Sequence, residues 1–181
     1  YLSGYEDRPV DSQIERQEPF QELAQITRDY PIASSEQTEN NAYLAYNVAV
    51  DTVLNKEYYV AFDILEYALL GAPGAPLKQA LLDAGIGKDI ISSYDNSTYQ
   101  PIFSVVAKNA NESDKERFLQ VIRETLARMT VDGINKKALL AGINSAEFKY
   151  READFGGFPK GLIYGLQCMD SWLYDENQPF L

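Results

Sequence analysis

Six residues, Gly71-Ala72-Pro73-Gly74-Ala75-Pro76, stand between two apolar stripes of helical period. Upstream, Ala61, Ile64, Leu65, Ala68 and Leu69 recur on one face of a helix expected over 57–70. Downstream, Leu77, Leu81 and Leu82 belong to a second helix over 77–84, closed by Gly85. Proline cannot continue a helix interior, and glycine ends one readily. The chain must therefore turn a tight corner, with Pro76 in the first turn of the second helix. Leu69, Leu70, Leu77, Leu81 and Leu82 are then expected to share one core. A phosphate-loop reading competes for this segment. It lacks the Gly-Lys-Ser/Thr ending, and the spacing is not that of a dinucleotide fingerprint. The rigid corner is the simpler reading, with Lys78 on an exposed face.

Around this corner the pattern alternates strands and helices. Residues 1–40 are polar, with Pro9, Pro19 and Pro31. They read as an extended lead-in that packs on a neighbouring domain, with one strand at 23–30. Residues 41–181 read as a single α/β domain. Its first strand, 42–50, is Tyr- and Val-rich without Gly or Pro, and apolar or aromatic on both faces. That makes it the expected central strand. Strands at 89–94 and 100–107 flank the turn-like Asp95-Asn96-Ser97-Thr98. They are too closely linked for a parallel crossover. Ser113 and Glu116 have the spacing of a capping box. The helix they open carries Phe118, Ile122, Leu126 and Met129 on one stripe. After Asp132-Gly133, Asn135 opens a helix with Leu139, Ile143, Ala146 and Tyr150 aligned. After Gly156-Gly157-Phe158-Pro159, a last helix, 160–174, carries Leu162, Ile163, Leu166, Met169 and Leu173. The fold class is α+β: a two-layer α/β sandwich, its sheet largely antiparallel, its helices mainly on one face.

The chemistry open to this chain is narrow, because none of its 181 residues is histidine. Catalytic zinc is normally held by His nitrogens, and Ser-His-Asp and Cys-His catalysis need the imidazole. A lone Cys168 sits in an apolar helical stripe, where thiols are usually inert. The carboxylate pairs Glu6/Asp7, Asp114/Glu116, Glu152/Asp154 and Asp175/Glu176 lie in polar runs and read as solvated faces. No catalytic, cofactor-binding or metal-ligating residue is expected here. The 27 Asp and Glu outnumber the 16 Lys and Arg, for a formal charge of −11. That field repels phosphate backbones, so no nucleic acid partner is expected. No apolar run approaches the ~20 residues that span a bilayer, so no membrane partner is expected either. The start has no basic and apolar regions of a signal peptide and no Met, which reads as a piece excised from a longer protein. One cysteine permits no internal disulfide and favours a reducing, cytoplasmic setting.

Four stretches, in order, resemble one family. Residues 69–82 are similar to the helix–corner–helix of insulinase-like zinc peptidases, nearest the presequence-protease and falcilysin subfamily. Asn144 through Glu152 looks like that subfamily's E-F-x-x-R-E helix end. Phe158-Pro159-Lys160-Gly161-Leu162 through Trp172-Leu173-Tyr174-Asp175 looks like its F-P-[RK]-G-L … W-[IL]-Y-D helix. Arg8-Pro9-Val10-Asp11-Ser12 and Tyr30-Pro31-Ile32 fit the lead-in. The resemblance implies two homologous halves joined by a linker, each with two α/β domains of related fold. The inverted zinc motif His-x-x-Glu-His lies in the first domain. This chain resembles the second, non-catalytic domain of the first half. The implied function is structural: part of the wall of a chamber in which a zinc-dependent metalloendopeptidase degrades peptides. Zinc is implied in the parent's catalytic domain and not in this chain. The implied partners are that catalytic domain and, in the parent, peptide substrates. On this reading the parent is an enzyme and the chain alone is not. The alternative is a catalytically inactive interaction or assembly module of the same fold.

Overall fold

The computed structural model describes residues 4–6, 8–152 and 155–179. Strand β1 is Ala42–Ala49, and helix α1 is Lys56–Glu66, running into a π-helical turn at Tyr67–Gly71. Helix α2 is Pro76–Asp83; strands β2 and β3 are Asp89–Asp95 and Ile102–Ala110. Helices α3, α4 and α5 are Lys115–Asp132, Lys136–Glu152 and Lys160–Trp172. The class is α+β, and the sheet of β1, β2 and β3 is antiparallel throughout.

The strand order β1-β3-β2 corrects one expectation. β1 is an edge strand, and β3 lies at the centre, paired on both sides. Two-sided apolarity in β1 therefore does not mark a central position. Leu44 and Tyr46 face the helices, while Tyr43, Ala45 and Asn47 line the opposite, open face. Asn109, at φ 56°, is the extra residue of a bulge where the β1–β3 register shifts. Its side chain donates to the Asn40 carbonyl, while Asn111 and Asn40 exchange two further hydrogen bonds. This asparagine knot ties the end of the lead-in to the sheet.

The helical layer covers one sheet face. Leu69, Leu70, Leu77 and Leu81 meet Leu44, Ile90, Val105 and Ala107 of the sheet and Phe118, Val121 and Ile122 of α3 in one core. The corner does bring its leucines together, with Leu82 at the edge. Gly71 ends the π turn without a left-handed backbone; the left-handed residue of the corner is Gly74, at φ 70°. By length and composition, the run Lys56–Asp83 is long and apolar enough to cross a membrane, unlike any run expected from the sequence. The corner interrupts it, and its leucines are spent on this core.

Other expectations shift in detail. Positions 23–30 carry no strand. The capping box ahead of α3 is Asn111 with Asp114, two residues earlier than expected, because Glu112–Asp114 forms a short 3-10 turn first. On α3, Val121 and Thr125 join Phe118 and Ile122 inside, and Leu126 turns outward. α4 buries Gly142 against Ile64 and Tyr67 and half-buries Ala138, Leu139 and Ala146. Ile143 and Tyr150 stand at its exposed flank. On α5, Leu162, Leu166 and Met169 point away from the domain, as does Leu173 just after it.

Candidate functional site

Two places concentrate polar groups. The first is the corner, which forms a shallow hollow of about 250 Å³ beside Lys78 and Gln79. Two of its backbone amides are engaged internally: Ala72 N–H donates to the Tyr67 carbonyl, and Ala75 N–H to that of Ala72. Pro76 at the start of α2 has no N–H to offer. Lys78 is not the free exposed cation expected. Its Nζ donates to Asp89 Oδ1 at 3.0 Å and to the Ile90 carbonyl at 3.1 Å, clipping α2 to β2. The lysine hydrogen bond, with help from the Ile90 N–H, holds Asp89 below the usual carboxylate range.

The second is a tyrosine–carboxylate cluster between α1, β2, α4 and α5, which periodicity did not reveal. Tyr59 of α1 donates its hydroxyl to Asp170 Oδ2 of α5 at 3.2 Å. Burial pushes the Tyr59 phenol up, with Asp170, Tyr150 and Asp63 adding to the shift. Burial and Asp63 push Tyr94 up to about 12, and Tyr150 rises for the same reasons with Asp170 added. The Tyr94 hydroxyl is buried, with no hydrogen-bond partner among the described residues. Burial raises Asp170, opposed by the hydrogen bond from Tyr59 and supported by Asp95. These phenols stay protonated at neutral pH, so none is a nucleophile. Carboxylates accept from two further hydroxyls, Ser92 to Glu66 and Ser97 to Asp95, and Cys168 is a half-buried free thiol. The Tyr59–Asp170 hydrogen bond fastens α5 to α1.

Two of the other carboxylates weighed from the sequence hold turns. Asp114 accepts from the Asn111 N–H in the capping box. Asp175 accepts from Asn177 and Gln178 in the turn after α5, which lowers its pKa. Asp7 and Asp154 lie outside the described residues, so the pairs Glu6/Asp7 and Glu152/Asp154 cannot be placed. Gly156 and Gly157, both at positive φ, reverse the chain before α5. With no histidine and one cysteine, the donors present do not fit zinc. Among the described residues, no group of three or more Cys, Asp or Glu is placed to hold a metal.

Known proteins give the domain its context. The sequence profile described as the Peptidase M16 inactive domain matches residues 1–145. The chain is 42% identical over 177 residues to Protein HypA of Clostridium perfringens, covering 98% of this chain and 18% of that protein. It is 30% identical over 184 residues to Presequence protease 1, chloroplastic/mitochondrial, of Arabidopsis thaliana, covering 99% and 17%. The chain thus spans under a fifth of the length of these relatives. Its fold matches the solved inactive peptidase domain of a presumed zinc protease from Bordetella parapertussis, with a TM-score of 0.59 at 14% identity, over 76% of this chain and 75% of that one. A profile match over most of the chain, on a fold shared with a solved inactive domain, leads to one conclusion: this chain belongs to the Peptidase M16 inactive domain family.

Proposed function

We propose that this chain is the non-catalytic domain of a longer zinc-dependent metalloendopeptidase that degrades peptides, and that it forms part of the wall of the proteolytic chamber. Zinc, in this proposal, belongs to the parent's catalytic domain, against which this domain packs. The observation that carries the reading is the open face of the sheet. Register places its cross-strand rows as Tyr43–Lys108–Asp89, Ala45–Val106–Ile91, Asn47–Ser104–Ser93 and Ala49–Ile102–Asp95. Charge is confined to the two end rows, in a chain where 24% of residues are charged. The middle rows are small, apolar or neutral. Such a face suits contact with extended peptides of varied sequence, which a charged wall would sort by sign.

The lead-in supports the same reading. Val10, Phe20 and Ile26 expose more than two thirds of their surface, and the segment carries no helix or strand between residues 8 and 40. A neighbouring domain of the parent would cover these side chains. A cytoplasmic setting is part of the proposal, motivated by the single cysteine.

The test uses the full-length protein. Peptide hydrolysis that is lost with a chelator and restored by zinc is expected. Val106→Arg should alter KM for long peptides while bound zinc stays constant. A full-length protein that hydrolyses no peptide when loaded with zinc would leave the inactive assembly module as the reading.

A further inference from the structure

Helix α5 is amphipathic the wrong way round for its own domain. Its half-buried positions are Ile163, Gln167, Cys168 and Asp170, and Ser171 is fully buried. Polar groups and rings hold it: Asp170 accepts from Tyr59, Ser171 Oγ donates to the Gln178 carbonyl at 2.7 Å, and Tyr174, just after it, stacks on Tyr99 at 4.6 Å. Its outer side carries Leu162 at 51% exposure, Leu166 at 54%, Met169 at 40% and, just beyond, Leu173 at 64%. Beside this stripe run Gly161 and Gly165, one turn apart, each with open space where a Cβ would stand. Glycine costs about 1 kcal/mol against alanine in an exposed helix interior. Gly165 lies in the interior of α5 and Gly161 in its first turn, and such a pair along an uncharged apolar stripe makes sense where another backbone comes close.

We propose that this outer face of α5 is the seat of an apolar helix contributed by another part of the same longer polypeptide. Gly161 and Gly165 allow the close approach, and Leu162, Leu166, Met169 and Leu173 form the apolar seam. The choice of partner rests on two findings. The inactive-domain profile stops at residue 145, before α5 begins. The two long relatives nevertheless align across 98% and 99% of this chain, α5 included, and more than four fifths of each lies beyond it. α5 is thus common to the long relatives and lies beyond the stretch that the profile matches, as befits an element joining domains. The inference rests on the reading of this chain as one domain of a longer protein.

The test is made in the full-length protein. Gly165→Leu is diagnostic by sign: it raises the melting temperature if α5 faces water, because leucine favours a helix over glycine, and lowers it by several degrees if a helix packs there. A lowering is expected, and a rise would overturn the proposal. In hydroxyl-radical footprinting, Met169 and Trp172 should oxidise severalfold more slowly in the native protein than in urea, at every protein concentration. Equal rates would show an uncovered face, and protection lost on dilution would assign the seat to a second copy; either result overturns the proposal. Zinc-dependent peptidase activity is assayed on the same sample. Its absence would remove the chamber-wall reading while a protected α5 still stood.

Discussion

Gly87 sits at φ 69°, and a Cβ built there would lie 2.8 Å from the Lys108 carbonyl oxygen, inside the central strand's backbone. Gly85 has a similar φ of 73° with nothing within 4 Å. Gly85→Ala should therefore cost only the left-handed strain, about 1–2 kcal/mol. Gly87→Ala should cost more, because the strand must also shift; urea unfolding of the pair measures the difference. Tyr59 gives a second test. Tyr59→Phe removes the donor to a half-buried carboxylate and should cost about 1–3 kcal/mol in the same assay. It should also change the pH profile. Tyr59, Tyr94 and Tyr150 have folded pKa values above the usual 10.0, so the folded state holds these protons more tightly. Their contribution is whole below pH 10 and falls as pH rises through the folded values. Tyr59→Phe should flatten that alkaline fall. On the acid side, Asp170 is raised above 3.8, so it favours the fold more as pH drops from neutral toward that value. A stability curve from pH 3 to 11, with Asp170→Asn as the comparison, separates the two ends. No periodicity announced this cluster: its members lie on four elements, and only tertiary packing brings them together.

At the scale of elements, the corner was the most legible part of the chain. Gly and Pro act locally, and the leucine stripes on either side can be satisfied only by burial. Leu81 is fully buried, so Leu81→Ala should cost about 2–5 kcal/mol in thermal or urea unfolding. Lys78→Ala should cost no more than about 1 kcal/mol, because its ion pair with Asp89 is more than a third exposed on both sides. Added ATP should raise the melting temperature of neither the wild type nor this variant. Gly142 is where α4 crosses α1, and a Cβ there would meet Ile64 and Tyr67 at 3.2–3.3 Å. Gly142→Val should lift α4 away and lower the melting temperature by several degrees through a clash, whereas Gly133→Ala, with open space but a φ of 81°, should lose stability through backbone strain alone. Helix phase was harder to read than helix position. Leu126 and the α5 leucines have the right spacing for a buried stripe, but spacing cannot say which neighbour buries it.

For the whole molecule, charge offers a further prediction. With a formal charge of −11 and only exposed or partly exposed ion pairs among the described residues, self-repulsion should dominate at low salt. Raising salt from about 10 to about 150 mM shortens the screening length from about 30 to about 8 Å and should raise the melting temperature. A fall would show that attractive pairs outweigh the repulsion. The sequence by itself determined the α+β class, the antiparallel hairpin of β2 and β3, the corner, and the lack of any histidine for zinc. Each follows from a local rule: period, turn chemistry, or the donor atoms a side chain carries. Only the tertiary structure decided that β3 and not β1 is central, that the Tyr59–Asp170 cluster exists, and that α5 turns its leucines outward. Those outcomes depend on which surfaces meet, and apolar residues look alike in sequence whether their own domain covers them or another one does.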